Sequence, residues 1–484
     1  MTYLEKLIKE EGPFLSGELI QILTTGEKPI TNQAARQRLS RLEGDIHKIK
    51  GLFADRQIFF YHKNNYGSEK YYLGLEKALK DSGKQYHTIL QSLDFHQGLI
   101  NQNHLASYSI NPVLDLKGHV TFDTALQKLV NLKIIKKDGD YICISNKISR
   151  TNSNKKRAKA IELAKNFLLM QFNDWSRKTG LVGYNSSKFY SHFGNYQFNF
   201  VSPSFVGSLP QRKKEKIIPG FVIADILIDN VITKNQIEFH INKIKTLRYR
   251  KNIPNFISYL IVDSINTEAL NALKSEGIIV GFVDQLFGEN YIELLKSLIN
   301  LVTNAGAILK TNPNAYLDLI ITLNKLVDGK TNNLRGDLFE LAVGFYQGRI
   351  CNSIEIGKLI NYKGEKREID VYGSTANQII LSECKGYNQK IKKEDIEIWL
   401  GEKVPIMRKW ILDQPSISER EITVQFWATG GFEDDALEIL KSRQAKTTKY
   451  KIEFFNLDEM IIKSQHVNSK KLEDVLREYY KKEL

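Results

Sequence analysis

"REIDVYGSTANQIILSECKGY", residues 367–387, sets Asp370 behind one short apolar run and a Glu383-Cys384-Lys385 triplet inside the next. Both runs have strand length, and GSTANQ between them is turn material, so the stretch predicts two adjacent strands. Side chains alternate along a strand, which puts Glu383 and Lys385 on one face and Ser382 and Cys384 on the other. If the strands pair, Asp370, at the end of its strand, and Glu383 are neighbours near one sheet edge. Two carboxylates that close repel, and a lysine buried beside them is costly unless each charge has a partner.

A divalent cation resolves the conflict. Mg2+ takes carboxylate oxygens and keeps several waters, which suits a site that also holds a phosphate. It activates water and neutralises charge developing on phosphorus, while Lys385 would orient or deprotonate that water. A solvated ion-pair ladder would leave the same three residues, but the flanking QIILSECKGY is apolar on both sides. Cys384 reads as a small core residue.

Upstream, NLRGDLFELAVGFYQGR (333–349) predicts a helix carrying Glu340, with Gly336 and Gly344 one turn before and after it. Residues four apart are neighbours on a helix, so the carboxylate is expected to be open to close approach. The order from there is helix, strand, strand, strand, helix, strand, helix, strand, helix.

Asp370, then Glu383-Cys384-Lys385, preceded by Glu340 on a helix, resembles the PD-(D/E)xK nuclease superfamily, the fold of restriction endonucleases, Holliday-junction resolvases and Mrr-type enzymes. The resemblance covers roughly residues 330–484 and includes TVQFWATGGFEDDALEIL, similar to the segment after the active strands of Mrr-like members. It implies Mg2+, with Mn2+ as substitute, at Asp370, Glu383 and Glu340, and Lys385 at the water. Ile369 stands where the motif has Pro. Gln389 and Lys390 lie where members often place polar residues against the phosphate.

Residues 155–300 show a similar order: a helix with Glu162, a strand with Asp225, a turn at 230–235, and Glu238-Phe239-His240 expected on the next strand. Two alternatives stay open: a related copy with an altered or dead site, His240 standing where the pattern has Lys, or a polar hairpin that imitates three positions. A lone histidine is more often structural than catalytic.

At the front, YLEKLIKEE and SGELIQILTTG predict amphipathic helices, the second capped by Ser16. TNQAARQRLSRLEGD opens on a capping Thr31, faces Ala34, Ala35, Leu39 and Leu42 inward, and exposes Gln33, Arg36, Arg38 and Arg41. QIFFYHKNNYGSEKYYLG then predicts a hairpin bearing Lys63. This resembles a winged helix-turn-helix, which implies a third helix in the DNA major groove and a basic wing; the same fold used for packing or dimerisation is the alternative. Residues 83–150 repeat the theme more weakly through YHTILQSL, NQNHLAS, TFDTALQKLVNLKIIKK and GDYICIS, with a spacer role favoured.

The 484 residues carry a net charge of +14, divided as +5 over residues 1–150, +8 over 151–300 and +1 over 301–484. A basic front joined to a neutral end suits a polyanion-gripping part attached to a part with other work. The runs Lys155-Lys156-Arg157, Arg212-Lys213-Lys214 and Lys243, Lys245, Arg248 and Arg250 have Tyr and Phe nearby, a mixture that grips phosphate and stacks on bases; solvated loops are the alternative. Cys143, Cys351 and Cys384 lack metal or disulfide spacing. No uncharged stretch long enough to span a bilayer follows the charged start, so a cytoplasmic protein off the membrane is expected.

The expectation is a multidomain α/β and α+β chain: 1–82 winged helix-turn-helix, 83–150 a second such module or spacer, and 151–300 a basic α/β domain, degenerate or unrelated. A helical connector at 301–333 and a nuclease domain at 334–484 on a mixed central sheet complete it. The activity expected is Mg2+-dependent cutting of double-stranded or structured DNA in restriction, anti-phage defence or mobile-element processing. A homodimer and partner proteins of such a system are in keeping with it. The alternative is a DNA-binding regulator or assembly subunit whose nuclease-like domains no longer cut.

Overall fold

The computed structural model describes residues 2–145, 154–213, 216–327 and 332–481. It forms two compact units, 1–158 with 172–286 and 159–171 with 287–484. Lys214, and the parts of the expected linker and of the DGKTNN break at 149–153 and 328–331, lie outside the described residues.

The first unit opens with α1 (Tyr3–Glu10), β1 (Phe14–Leu15), α2 (Ser16–Thr25), α3 (Asn32–Ser40), β2 (Ile46–Ile49) and β3 (Phe59–His62), the strands ordered β1-β3-β2. The Thr31 hydroxyl accepts from the Ala34 amide and caps α3, and Ala35, Leu39 and Leu42 join the core of α1 and α2. Ser16 does not cap α2; it is the first helical residue, and the Glu18 carboxylate takes the Leu15 amide at 2.7 Å. KYYLG is helix rather than a second wing strand. Ser68 caps α4 (Glu69–Ser82), which buries Tyr71, Tyr72, Leu75, Ala78 and Leu79, a helical spacing hidden behind the local aromatic alternation.

A second module repeats the order: α5 (Lys84–Phe95), β4 (Leu99–Asn101), α6 (Gln102–Leu105), α7 (Phe122–Asn131), β5 (Ile135–Asp138) and β6 (Tyr141–Ile144), with strands ordered β4-β6-β5. Lys133, at φ 57°, ends the helical run, so the following IKKD forms β5 instead of lengthening α7.

After α8 (Lys155–Lys178), whose residues 159–171 pack with the second unit, come β7 (Lys188–Phe193), β8 (Tyr196–Ser204), β9 (Gln211–Lys213), β10 (Lys216–Ile218), β11 (Gly220–Leu227), α9 (Lys234–Arg248), β12 (Phe256–Val262), α10 (Thr267–Ser275) and β13 (Ile279–Phe282). QIEFHINKI, expected as a strand, lies in α9. Its buried residues Ile237, His240, Ile244 and Leu247 have helical spacing, but two buried members of that helix are the polar His240 and Lys243. A pattern that counts only apolar residues therefore shows Ile237, Phe239 and Ile241 alternating as in a strand.

The second unit follows α11 (Val283–Phe287): α12 (Tyr291–Thr311), α13 (Pro313–Val327), α14 (Asn332–Ile350), β14 (Ser353–Tyr362), β15 (Glu365–Ser374), β16 (Gln378–Lys385), α15 (Lys393–Ile398), a π turn (Trp399–Lys403), α16 (Val404–Leu412), β17 (Glu421–Ala428), α17 (Asp434–Lys446), β18 (Lys451–Phe455), α18 (Leu457–His466) and α19 (Lys470–Tyr480). By length and composition alone α12 could cross a bilayer, and it buries Leu295, Leu298, Ile299, Val302 and Leu309 against its neighbours.

The sheets of the two units, β7-β8-β11-β12-β13 and β14-β15-β16-β17-β18, follow one plan. In each the first three strands are antiparallel, and the fourth and fifth are added in parallel through helical crossovers. In the second unit Ile369, Leu381, Val424 and Phe426 share a core with Trp399, Val404 and Met407 of the α15–α16 crossover, and α14 packs against β14, β15 and β16. Each such large side chain contributes about 1.5–3 kcal/mol on burial, which is what holds β15 and β16 in fixed register. The chain is thus a multidomain protein of mixed α/β and α+β character.

Candidate active site

β15 and β16 pair antiparallel through Val371↔Ser382. One residue further in the same register, Asp370 stands opposite Glu383. β15 continues to Ser374, so Asp370 lies inside its strand and not at its end. The Cys384 amide donates to Asp370 Oδ2 at 2.7 Å. Lys385 Nζ lies 2.8 Å from Glu383 Oε1, and Lys403 Nζ reaches the same oxygen at 2.6 Å. Glu383 is only 3% exposed, which excludes a solvated ladder, and its second oxygen, Oε2, is buried with no hydrogen-bond partner.

Three contributors were not legible as site residues. Lys403 comes from the π turn between α15 and α16. Pro405 cannot donate a hydrogen bond four residues back and its ring crowds that carbonyl, so the helix widens just before it. A proline inside a helical run was the available signal. Asp337 precedes Glu340 by one turn of α14, a spacing that any amphipathic helix shares and that does not by itself mark a site. Lys159 of α8 lies against Glu368 and 4.0 Å from Glu340 Oε2, a contact between distant segments that no local pattern announces.

The electrostatics are those of crowded carboxylates. Burial pushes Asp370 well above the ordinary carboxylate range, and Glu383 and Glu340 push it further. Burial raises Glu340 to about 7 and Asp337 to about 6, with Lys159 opposing both. For Glu383 burial acts upward too, but Lys385 and Lys403 outweigh it and hold the group ionised. Burial works against the Lys385 ammonium, yet Glu383 and Asp370 overcome it and raise its affinity for the proton.

The two glycines beside Glu340 differ. A Cβ at Gly336 would meet only Tyr387, at 3.5 Å, whereas one at Gly344 would press on Ile356 Cδ1 at 2.9 Å and Tyr316 Oη at 3.3 Å. Gly344 serves close packing rather than access to the carboxylate. Gln389 and Lys390 are exposed beyond β16.

These residues fit a hard divalent cation: the donors are carboxylate oxygens, and one is buried without a partner. Among the described residues no three His, Cys, Asp or Glu side chains converge on one point. A cation here would therefore draw most of its ligands from water and phosphate.

The sheet of the first unit carries the matching positions in altered form. Its register sets Asn199 of β8 opposite Asp225 of β11, as Asp370 stands opposite Glu383, and Leu227 takes the place of Lys385. The Ile226 amide donates to Asn199 Oδ1 at 2.8 Å, repeating the bond from Cys384 to Asp370. Asp225 therefore matches Glu383 and not Asp370, and Glu238 and His240 lie on α9 rather than on a strand.

Glu238 pairs with Lys84 at 3.0 Å, away from Asp225, and Glu162 sits on the part of α8 that packs with the second unit. Asp225 is fully buried and saturated, by His240 Nδ1 and Lys243 Nζ at 2.7 Å each and by the Asn199 amide at 3.0 Å. His240 Nε2 is bonded to Ser258, and Lys243 also donates to the carbonyls of Ser107 and Gln197. Neither His240 nor Lys243 is available to a ligand, so Lys243 is removed from the expected phosphate-gripping set.

Of the other residues expected to meet nucleic acid, Gln33, Arg36, Arg38 and Arg41 are exposed, on α3 and at its end, as expected. Lys63 is exposed and pairs with Asp45 at 2.7 Å. Lys155 pairs with Asp138, and Arg157 holds Asp229 by two bonds of 2.7 and 2.8 Å. Lys245 pairs with Glu276, Arg248 caps the Glu276 and Gly277 carbonyls, and Arg250 bonds Asn195. Lys156 stands near the start of α8, and Arg212 is exposed on β9 next to Lys213.

No protein-family model matches the chain, and no curated protein matches it. Among solved structures it is similar to protein VC1899 from Vibrio cholerae at 9% identity and a TM-score of 0.15, over 48% of this chain and 54% of that one. It is also similar to restriction endonuclease FokI at 13% identity and a TM-score of 0.19, over 99% of this chain and 88% of that one. Both likenesses are weak.

Proposed function

We propose that the protein is a divalent-cation-dependent DNA endonuclease whose second unit hydrolyses phosphodiester bonds. One observation carries this: Asp370 and Glu383 face each other on paired strands, with Lys385 2.8 Å from Glu383 and the other Glu383 oxygen buried and unpartnered. Asp370 and Glu383, with Glu340 assisting, would hold Mg2+ or Mn2+, which would supply charge neutralisation at phosphorus and acidify water. Lys385 keeps its proton, so it orients water or a phosphate oxygen by donating a hydrogen bond rather than acting as the base.

DNA is the favoured polyanion. The order α1-β1-α2-α3-β2-β3, with exposed Arg36, Arg38 and Arg41 at the third helix, supports a winged helix-turn-helix in the first module. The first-unit sheet, with Asp370 and Lys385 replaced by Asn199 and Leu227 and its acid sealed, is a non-cutting copy in this proposal. Restriction, anti-phage defence or mobile-element processing are the settings proposed, in the cytoplasm and with a dimer making double-strand cuts.

The test is cleavage of supercoiled, linear and branched DNA with Mg2+, Mn2+ or EDTA, by wild type and by Asp370→Ala and Lys385→Ala. Metal-dependent cutting lost in both variants supports the proposal. Full cutting by Asp370→Ala removes it, and salt-dependent DNA binding without turnover by wild type replaces it with a non-cutting regulator.

A further inference from the structure

Lys385 and Lys403 both pair with Glu383 Oε1, whereas among the described residues Glu340 and Glu368 form their ion pairs with Lys159. Its place is built into the sheet. Gly357 of β14 lies opposite Asp370 in the β14–β15 register and has φ 61°, and a Cβ there would collide with Lys159 Nζ and lie 2.9 Å from its Cδ and Cε. The lysine stem crosses the strand where the side chain is missing.

The first-unit sheet supplies a control. Tyr190, opposite Asn199, has φ 45°, so the same local twist recurs, yet the position is filled by a ring stacked on His104 at 3.6 Å. The positive φ belongs to the shared plan, whereas glycine and an overlying lysine occur on the sheet that keeps its carboxylates. A left-handed φ tolerates residues other than glycine at modest cost, so backbone geometry alone does not demand Gly357.

We propose that Lys159 is a tethered counter-cation of this carboxylate cluster, which a divalent cation must compete with or displace in order to load. The inference rests on the proposed metal site and adds how its occupancy is set. A charge within a few ångströms of the ligands acts through little solvent, so its removal should change affinity measurably.

The experiment is Mn2+ binding to the full chain, by calorimetry or by loss of the free-ion electron paramagnetic resonance signal, for wild type, Lys159→Gln and Lys159→Arg. Lys159→Gln should bind Mn2+ about five- to tenfold more tightly, and Lys159→Arg, which keeps the charge, should stay within twofold of wild type. Lys159→Met, which keeps much of the apolar stem, replaces the Gln variant should that fail to fold. Equal or weaker binding by the neutral variants, with wild type binding normally, overturns the counter-cation and leaves the nuclease proposal intact. Absence of Mn2+ binding in every protein overturns the metal site and the inference with it.

Discussion

Lys403 holds Glu383 Oε1 at 2.6 Å from a π turn twenty residues further along the chain. The bond ties the widened crossover helix to the strand that carries the acid. Removing it leaves Lys385 as the remaining cation, among the described residues, in an ion pair with a buried carboxylate, and hydrogen bonds to charged groups contribute about 1.5–3 kcal/mol. Lys403→Ala is expected to lower unfolding free energy by about 1–2 kcal/mol in urea, since Lys403 is partly exposed. Cutting should fall less than in Lys385→Ala, for which a loss on the order of 100-fold or more is expected; equal losses would make Lys403 a direct participant.

Glu340 and Asp337 are raised to about 7 and about 6 in the folded protein, above their values in the unfolded chain. The folded state then holds more protons than the unfolded state between roughly pH 4 and 7, so stability falls as pH rises through that window. In EDTA the wild type should melt lower at pH 8 than at pH 5.5, Glu340→Gln should flatten the decline, and Mg2+ should restore stability at pH 8. A decline of the same size in Glu340→Gln would assign it to other groups.

The glycines of α14 should respond in opposite directions. Alanine at Gly336 has room and gains helix propensity, about 0.5–1 kcal/mol, whereas alanine at Gly344 must displace Ile356 and costs about 1–3 kcal/mol. Urea denaturation of the two variants checks the contrast, and matching values would refute the packing argument.

Asp225 depends on Lys243 and His240 for its charge in a site with no exposure. Lys243→Met should destabilise the first unit by about 3–5 kcal/mol, because it leaves a buried carboxylate short of its cation. Mn2+ affinity should not change, since Asp225 is closed to ligands; a drop would mean that the first-unit sheet also binds metal.

Arg36, Arg38 and Arg41 have no carboxylate partner among the described residues and stand exposed. Each that meets a phosphate should, on changing to Ala, reduce the slope of log affinity against log salt by about 0.9. Filter binding across a salt series on a duplex reads this, and an unaltered slope in the triple variant would move DNA binding elsewhere.

Much of this architecture can be read in the chain itself, because short-range signals suffice for it. Thr31 announces α3, GSTANQ joins two strands, and alternation places Glu383 beside Lys385. Those are properties of neighbouring residues. QIEFHINKI failed as a strand because His240 and Lys243 are buried for charge rather than for hydrophobicity, so the periodicity that defines α9 includes residues an apolar count omits. KYYLG failed because tertiary burial of α4 overrides a local aromatic preference.

What the amino-acid order determined was most element types, α9 and α4 excepted, together with the basic front and the acid-lysine pair of β16. What only the tertiary structure decided was which distant charges meet: Lys403 and Lys159 at the carboxylates, and Lys243 at Asp225. Coulomb attraction between buried groups depends on separation in space and on exclusion of water, and neither is written in sequence spacing.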